Sequence, residues 1–581
     1  MFDIVIKNGL WFDGTGAAPV TRTLGIRDGK VAAVADGELD GGAGATVIEA
    51  AGQWVVPGFI DVHTHYDAEV LLAPGLRESV RHGVTTVVLG NCSLSTVYSD
   101  AEDAADLFSR VEAVPREFVV QALSEGKTWK TAAEYVEALE SLPLGPNIAL
   151  FLGHSDLRAH VMGLGRATDP DIAPTRDELD RMTTLLDEAL EAGLLGMSSM
   201  EAAIDKLDGD RFRSRALPAT FARTRELRAL TRVLRKRDRV LQSAPNQMAP
   251  WTILRFFLES SALLRRRQVR TSLLTAADAK SMRGVHLLMG WGTRLMNTLV
   301  RSDVRLQHLP VPFELYSDGI DLPVFEEFGA GTAALHLRDQ LARNELLADL
   351  EYRRGFRREF DHKRMPGLWH RDFHDAVIVE CPDPAVIGKS FGQLATEQDI
   401  HPIDAFLDVL VEHGERNVRW HSVLANHRPK VLDKLATQPS VHMGFSDAGA
   451  HLRNMAFYNF GLRLLARALA AELAGRPFLA LEQAVHRLTG ELGAWFGVEA
   501  GTLRLGDRAD FVVIDPAAFD GTLDAYHEER VPFYGGLSRM VNRNDAVVTA
   551  TGINGRIVFR QGDFTDDYGV GARTGRFLKA A

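Results

Sequence analysis

The stretch Gly58–Asp67 reads GFIDVHTHYD and directly follows the apolar run WVVP at residues 54–57. If this stretch is extended, His63 and His65 point to the same side, because the side chains of a strand alternate between two faces. Two neutral imidazoles directed at one point are a common way to hold a divalent metal ion. A lone HxH pair is about as often structural, so the rest of the chain has to decide between these two interpretations.

The bulk composition is that of an ordinary globular enzyme. The chain has 581 residues, of which 46% are hydrophobic and 25% are charged, and its length predicts two or three structural units. The formal net charge of −11 argues against a general nucleic-acid binder. Three local basic runs, at residues 232–239, 263–270 and 352–364, have the spacing of solvated helix faces.

Cysteine use and the first residues of the chain predict a cytoplasmic protein. The two cysteines, Cys92 and Cys381, cannot make a disulfide framework and fit a reducing compartment. The opening residues MFDIVIKNG read as a strand and lack the pattern of a signal peptide. No apolar stretch reaches the ~20 residues that a membrane span requires, so no membrane partner is expected.

Both ends of the chain are rich in short strand-like runs. Residues 1–57 and residues 501–581 carry such runs, punctuated by Asp-Gly and Asn-Gly pairs that are typical of hairpins. We therefore predict a small β-sandwich domain that is built from both termini, with a C-terminal tail.

The middle of the chain, residues 58–500, alternates strand-like runs with helical periodicity. This pattern predicts an α/β fold with a (β/α)8 TIM-like barrel. The eight candidate strands are VVPGFIDVH (55–63), TTVVLGNC (85–92), NIALFLGH (147–154), LLGMSSM (194–200), RVLQSA (239–244), VRTSLLTA (269–276), VRWHSVLA (418–425) and VHMGFSD (441–447).

Residues 281–417 are too long for one loop between a strand and a helix. They include another strand-like run at 375–384, and we predict an insertion over the barrel mouth that shapes the substrate pocket. A structural or oligomerisation element is an equally good interpretation.

The carboxyl ends of the candidate strands are rich in groups that bind metals or handle protons. Barrel active sites lie at this end, where the predicted strands place His63, His65, Cys92, His154, Ser243, Thr275, His421 and Asp447. Asp447 can bind a metal ion and accept a proton from water, or it can cap the helix that follows. Cys92 can be a thiolate ligand or a small core residue, and we favour the ligand.

These motifs resemble the amidohydrolase superfamily, and within it the N-acyl-D-amino-acid deacylases (D-aminoacylases). The resemblance spans about residues 1–200 and about 420–516, and it rests on GFIDVHTHYD (58–67), GNCS (90–93), GHSDLRAHVMG (153–163), GMSSM (196–200), GFSDAGAH (444–451) and AGTLRLGDRADFVVIDP (500–516). It implies a TIM-barrel hydrolase with zinc in which His63, His65 and Asp447 hold one metal position. It also implies that Cys92 takes the place that a bridging lysine or glutamate fills elsewhere in the superfamily.

The chain departs from the D-aminoacylases at the fifth and sixth barrel strands, where that family supplies a histidine from each. Here those strands read VLQSAPN and TSLLTAADAK, which puts Ser243 and either Leu274 or Thr275 at the corresponding places. His286 or His308 could substitute from the insertion. The loss of two ligands predicts one zinc ion rather than two.

The predicted function is the hydrolysis of an amide bond, that of an N-acyl-(D-)amino acid, by metal-activated water with Asp447 as general base. Arg453 is a candidate for binding the substrate carboxylate, or else a surface arginine, and His154 is a candidate for orienting the substrate or supporting the metal site. A cyclic amidase or deaminase on the same barrel is one alternative, and a metal-free binding or scaffold protein is another. The expected partner is a small-molecule substrate, and self-association is left open.

Overall fold

Strands and helices alternate along most of the chain. The computed structural model describes residues 1–42, 44–110, 112–246, 251–263, 265–362, 367 and 369–581, with only the backbone of Trp251. Numbered in chain order, the β-strands of this part of the chain are β1 (Ile4–Trp11), β2 (Val20–Arg27), β3 (Lys30–Ala35), β4 (Thr46–Glu49), β5 (Trp54–Pro57), β6 (Phe59–Asp61), β7 (His63–Thr64), β8 (Val84–Leu89), β9 (Asn147–Gly153), β10 (Gly196–Met200), β11 (Val240–Ala244), β12 (Arg270–Leu273), β13 (Asp303–His308), β14 (Phe313–Asp318), β15 (Val377–Glu380), β16 (Arg419–Ala425), β17 (Val441–Met443), β18 (Phe445–Ala448), β19 (Phe511–Ile514), β20 (His527–Val531), β21 (Leu537–Val541), β22 (Val548–Ile553), β23 (Arg556–Arg560) and β24 (Asp563–Phe564). The α-helices of eight residues or more are Ala101–Phe108, Arg116–Gly126, Ala132–Ser141, His154–Met162, Arg176–Ala192, Thr224–Arg237, Trp251–Ser260, Thr293–Val300, Gly329–His336, Gln340–Ala348, Leu350–Asp361, Phe391–Gln398, Pro402–His413, Pro429–Ala436, Phe460–Leu473 and Leu481–Leu488.

Eight parallel strands form the central sheet, in the order β17-β13-β12-β11-β10-β9-β8-β6. The parallel pair β7–β18 joins the two ends of this sheet, because each of its strands follows an end strand after a single residue. The backbone N–H of His65 extends this pairing by donating to the carbonyl of Ala448 at 2.7 Å. The strands thus curl into a barrel with helices between them, and the predicted α/β barrel is confirmed.

Local sequence explains why these barrel units form. Strand β8 is the run VTTVVL, in which β-branched residues dominate and every side chain is buried. The helix Arg176–Ala192 begins at Thr175, whose side chain and that of Glu178 form a reciprocal capping box. It ends at Gly193, whose φ of 110° is accessible to glycine and costly for other residues.

The two chain termini contribute to one sheet outside the barrel. Its nine strands follow the order β24-β23-β22-β19-β5-β1-β2-β3, with β4 paired to β1. The antiparallel pair β5–β19, in register from Trp54↔Ile514 to Pro57↔Phe511, joins the N-terminal strands to the C-terminal ones. Since all nine strands belong to one hydrogen-bonded sheet, the two-layered sandwich and the domain boundaries stay predictions.

One predicted barrel strand and one predicted helix face are wrong. The run 418–425 is a strand, β16, but it lies in the separate antiparallel sheet β14-β16-β15. The seventh barrel strand is β13, which lies inside the segment predicted as an insertion and pairs with β12 and β17. In the basic run 263–270, the described residues form a loop and the first residue of β12 rather than a helix.

The chain between β13 and β17 forms an aromatic unit that shares one hydrophobic core with the barrel. Aromatic side chains from several of its helices and from β16 pack together there, including Phe325 stacked on Phe406 at 5.5 Å between ring centroids and Trp369 at 6.2 Å from Trp420. From the same segment, Phe313 and Leu322 line the cavity described below. This unit therefore contributes to the cavity at the carboxyl ends of the strands, and it begins after β13.

Candidate metal centre

A cavity of about 620 Å³ lies at the carboxyl ends of the barrel strands. Its lining residues His65, Cys92, Met200, Ala244 and Leu274 each lie at or just beyond the end of a different strand, from β7 to β12. The ends of parallel strands meet at one edge of a sheet, so residues far apart in sequence converge here. His65, after the first barrel strand, and Asp447, after the eighth, both line this cavity. The space between these two strand ends is therefore not filled by hydrocarbon side chains.

His63 is held in one orientation by a side chain from the seventh barrel strand. Its Nδ1 lies 2.6 Å from Oε1 of Gln307, and Nε2 of Gln307 donates to the Ser272 hydroxyl at 2.9 Å. Because the amide oxygen can only accept, His63 carries its proton on Nδ1 and leaves the Nε2 lone pair free. Metal-binding histidines are commonly fixed by such an acceptor.

The Nε2 atom of His63 points at two further donor atoms. It lies 3.3 Å from the Cys92 sulfur and 3.5 Å from Oδ1 of Asp447. Nε2 of His65 lies 3.2 Å from the same carboxylate oxygen. A tetrahedral zinc site with bonds of about 2.0–2.3 Å holds its ligand atoms about 3.3–3.8 Å apart, so these separations have the size that such a site requires.

A second carboxylate reaches the site from the loop after the helix Ala101–Phe108. Oε2 of Glu112 lies 3.5 Å from Nε2 of His65 and 3.6 Å from Nε2 of His451. His63, His65 and Cys92 form one compact group of donor atoms, and His65, Glu112 and Asp447 form an overlapping one. The two groups share His65, so the described residues offer donors for one cation or for two adjacent cations.

Backbone geometry aims these side chains inward. Cys92, Asp447 and His451 all have left-handed backbone angles, with φ of 51°, 62° and 50°. Such angles cost on the order of 1–3 kcal/mol per non-glycine residue and cluster at functional sites. Gly449, at φ 91°, lets the loop after β18 lie against the backbone of His65, where a Cβ atom would meet the carbonyl group at 2.8 Å.

Several buried carboxyl groups lie close together at this site. Burial raises the pKa of Glu112 to about 8, that of Asp67 to about 7 and that of Asp205 to about 7. Burial also lowers the pKa of His63 to about 4, whereas at His65 the Glu112 and Asp447 carboxyl groups outweigh burial and raise the pKa to about 9. The proton on His65 and the ammonium of Lys206, which opposes the rise in the pKa of Asp205, are positive charges near these carboxyl groups. A divalent cation would take the place of the His65 proton on binding.

Asp447 itself is held in its charged form. Burial opposes ionisation, but contact with His65 and the charges of His63 and His451 bring the pKa of Asp447 below its ordinary value. It is therefore a carboxylate at neutral pH, which is the form that a metal ligand or a general base needs. Two imidazoles, a thiol and two carboxylates around one point fit a divalent cation such as zinc.

Two predicted substrate-binding residues lie elsewhere. His154 is buried, with Nδ1 3.0 Å from the Ser199 hydroxyl and Nε2 2.8 Å from Glu226, and it is not among the cavity-lining residues. Arg453 directs Nε at Asp318, 2.7 Å away, and also pairs with Glu528. Both side chains already have partners, so their positions give the predicted roles no support.

The residues at the ends of the fifth and sixth strands do not replace the missing histidines. Ser243 is buried, and Thr275 lines the cavity while its hydroxyl donates to the Gln307 carbonyl at 2.9 Å. His308 has Nδ1 at 2.6 Å from the Ala276 carbonyl, and His286 faces Asp278. Among the described residues, neither histidine belongs to a compact group of potential ligands.

Sequence reasoning missed three side chains of the centre. His451 lies within the quoted motif GFSDAGAH, four residues after Asp447, and that spacing could have identified it. Gln307 lies on β13, inside the segment that was predicted as an insertion and in which no strand was predicted at this place. Glu112 lies in a loop without a recognisable motif, so no local signal in the sequence could have found it.

The fold and the donor groups together define the class of protein: an α/β barrel with a candidate metal site at the carboxyl ends of its strands. The amidohydrolase family model matches residues 46–239. An uncharacterised protein of Mycobacterium tuberculosis is 69% identical over 585 aligned positions, which cover 100% of this chain and 96% of that protein. The D-aminoacylase of Alcaligenes xylosoxydans xylosoxydans is 34% identical over 203 residues, 34% of this chain and 37% of that enzyme.

A solved structure extends the likeness in fold over the whole chain. The N-acyl-D-glutamate deacylase of Bordetella bronchiseptica, complexed with zinc and a phosphonate inhibitor, covers 100% of both chains with a TM-score of 0.64 and 23% identity. The chain belongs to the amidohydrolase family and is D-aminoacylase-like.

Proposed function

We propose that this protein is a zinc-dependent deacylase of N-acyl amino acids, with a preference for the D-configuration. The observation that carries the proposal is the convergence of His63, His65, Cys92 and Asp447 beside a cavity that the last three of them line. The D-configuration is suggested by the partial sequence similarity to D-aminoacylase. A cytoplasmic location is part of the proposal, supported by two cysteines that are both free.

The metal ligands in this proposal are His63, His65, Cys92 and Asp447, with Glu112 as a neighbouring donor. A bound zinc ion would lower the pKa of water and polarise the scissile carbonyl group. Gln307 keeps the proton on Nδ1 of His63, so that Nε2 faces the centre. Apolar walls from the barrel and from the aromatic unit line the cavity, which would strengthen electrostatic interactions around a bound substrate.

Asp447 moves the proton in the proposed reaction. One carboxylate oxygen accepts a proton from the attacking water as its oxygen bonds to the acyl carbon. The same group then donates that proton to the leaving nitrogen while the C–N bond breaks. The products are a carboxylic acid and a free amino acid, so the atoms and charges of amide hydrolysis balance.

The cavity walls indicate the kind of substrate. They are largely apolar, with side chains such as Met200, Phe313 and Leu424, which favour an apolar acyl group or amino-acid side chain over an acidic one. The cavity also contains Lys206, whose ammonium has no ion-pair partner within the described part of the chain and whose pKa is lowered by burial. In place of Arg453, Lys206 is our candidate for binding the substrate carboxylate.

The test is hydrolysis of a panel of N-acyl-D- and N-acyl-L-amino acids by zinc-loaded protein, with bound zinc measured in parallel. We expect cleavage of the D-series, about one zinc per chain, and faster turnover of apolar than of acidic substrates. Opening of cyclic amides without cleavage of any N-acyl amino acid would replace the proposal by a cyclic amidase. Less than one equivalent of zinc, unchanged in His63→Ala, would favour a scaffold protein.

A pair of variants tests the carboxylate-binding residue. Lys206→Met should raise KM far more than it lowers kcat, because the lost interaction is made in both the ground state and the transition state. Arg453→Met is the matched control and should leave KM near the wild-type value, since its guanidinium is paired with Asp318. The opposite result would return the role to Arg453.

A further inference from the structure

An unusual share of the exposed hydrophobic side chains lies in one short segment. Among the described residues, seventeen large hydrophobic side chains are exposed, and eight of these lie between positions 254 and 299. Leu288, Leu299, Trp291 and Leu295 are the most open of the eight, with 73%, 61%, 59% and 59% of their surface accessible. Scattered exposed hydrophobic residues are normal, whereas such a concentration marks an interaction surface.

Four of these side chains lie on two adjacent helices. The C-terminal ends of Trp251–Ser260 and Thr293–Val300 lie side by side, because Ser261 donates to the Val300 carbonyl and the Ala262 N–H donates to the Arg301 carbonyl at 3.0 Å. Within each helix the exposed leucines are four residues apart and therefore lie on one side, at Leu254 and Leu258 and at Leu295 and Leu299. We call this surface, with Leu263, Leu287, Leu288 and Trp291, the 254–299 face.

The surroundings of the 254–299 face are strongly basic, although the whole chain has a net charge of −11. Residues 251–302 include nine lysines and arginines against two acidic residues. Both acidic side chains, Glu259 and Asp278, are buried. Among the exposed arginines, five form no ion pair with any carboxylate of the described residues: Arg266, Arg267, Arg283, Arg294 and Arg301.

We infer that the 254–299 face docks on a lipid surface with anionic headgroups. Exposed leucines and a tryptophan flanked by unpaired arginines are the composition of helices that lie in a membrane interface. The contact would be peripheral, since no helix in the described part of the chain is long and apolar enough to cross a bilayer. This inference revises the expectation of no membrane partner, which considered only membrane spans and overall charge.

A second copy of the chain fits this face less well than an anionic surface does. A symmetric dimer brings the same patch of both subunits together, so the five unpaired arginines of each subunit would face those of the other. Anionic headgroups instead complement these charges, and each basic residue near such a surface strengthens binding by about fivefold.

The 254–299 face is continuous with a wall of the proposed active site. Met282 and Met289 line the cavity, and the neighbours of Met289 in sequence include the exposed Leu288 and Trp291. The same short segment thus presents hydrocarbon to the cavity on one side and to the solvent on the other. An amphiphilic substrate with an apolar acyl chain could pass from a membrane to the cavity along it.

Vesicle co-sedimentation of the zinc-loaded full-length protein tests the inference without any turnover. The vesicles are phosphatidylcholine alone, or two parts phosphatidylcholine with one part phosphatidylglycerol. The critical variant is Trp291→Glu with Leu295→Glu, and its matched control is Leu350→Glu with Leu473→Glu, which alters leucines elsewhere that are at least as exposed. A second variant, Arg266→Ser with Arg267→Ser, tests the charge, and thermal unfolding checks that all three remain folded.

We expect the protein to bind the anionic vesicles and to bind the neutral ones little. Binding to the anionic vesicles should weaken as salt rises from about 0.1 M to about 1 M, because the Debye length falls from ~10 to ~3 Å. The affinity for anionic vesicles should fall about tenfold or more in the tryptophan–leucine variant and about 25-fold in the arginine variant. The control variant should bind as tightly as the wild type. Equal binding to both vesicles, or equal binding by variant and control, would overturn the inference. So would a wild-type dimer, seen by light scattering, that the critical variant dissociates while no vesicle binds.

Because no substrate is involved, failure of vesicle binding leaves the proposed deacylase intact, and failure of the substrate panel leaves the docking surface intact.

Discussion

Gln307 is the side chain whose removal tests the geometry of the centre most directly. Replacing it by leucine keeps the approximate volume and removes the acceptor that lies 2.6 Å from Nδ1 of His63. When Nε2 binds a cation, the proton must stay on Nδ1, which would then be buried without a partner. Leaving a buried donor unpaired costs about 1–3 kcal/mol.

That cost falls mainly on the metal-bound state. In the metal-free state His63 can move its proton to Nε2, where the Cys92 sulfur and the Asp447 carboxylate are 3.3 and 3.5 Å away. Changes to residues that orient metal ligands typically weaken affinity by about 10–100-fold, or about 1.4–2.7 kcal/mol, which agrees with the cost of the unpaired donor. We therefore expect Gln307→Leu to lose zinc affinity in this range and to keep its fold.

Competition with a chromophoric zinc chelator measures the affinity, and thermal unfolding of the metal-free protein checks the fold. Gln307→Glu is the matched control, because its carboxylate can still accept from His63 and can accept from the Ser272 hydroxyl. It should bind zinc at least as tightly as the wild type. Zinc affinity in Gln307→Leu within about twofold of the wild type would refute the assigned orientation of His63.

Three further predictions concern the ligands and the cation. Asp447→Asn should reduce kcat by about 10²–10⁴-fold in steady-state assays while its circular dichroism stays that of the wild type, and wild-type rates would exclude Asp447 as the general base. Cys92→Ser should bind zinc more weakly in the chelator competition, whereas Cys381→Ser, which alters the second free cysteine, should not. Equal affinities would make Cys92 a core residue. Free zinc at about 1,000 times its dissociation constant should stabilise the fold by about 4 kcal/mol, so a chelator should lower the midpoint of thermal unfolding in the wild type. His63→Ala should respond far less to the chelator, and identical shifts in both proteins would contradict the assigned site.

The barrel could be predicted from the sequence because its signals are local. Strands such as β8 and β9 are continuous buried runs, and the helices between them carry their own caps. Strand β13 was missed because Asp303 and Arg305 alternate with its apolar residues, so that it resembles a surface strand. The run 418–425 is a strand by the same local criteria, but which sheet it joins depends on partners far away in sequence.

The candidate centre could be predicted only as far as motifs mark it. His63, His65, Cys92 and Asp447 follow barrel strands, and the strand ends bring them together. Glu112 arrives from a loop whose path is fixed by tertiary packing, and nothing around it in sequence marks its role. Sequence proximity to Asp447 does not by itself place Arg453 in the site, because its guanidinium pairs with Asp318.

The aromatic unit between β13 and β17 separates substrate selection from catalysis, two tasks that many enzymes assign to the same residues. The groups that would perform hydrolysis come from the barrel and from the loop that holds Glu112, whereas part of the cavity wall, including Phe313 and Leu322, comes from the aromatic unit. Mutations in that unit can alter which molecules enter without disturbing the reactive groups. Natural selection, or the exchange of this unit between related proteins, could therefore change the substrate specificity while the reactive groups stay the same.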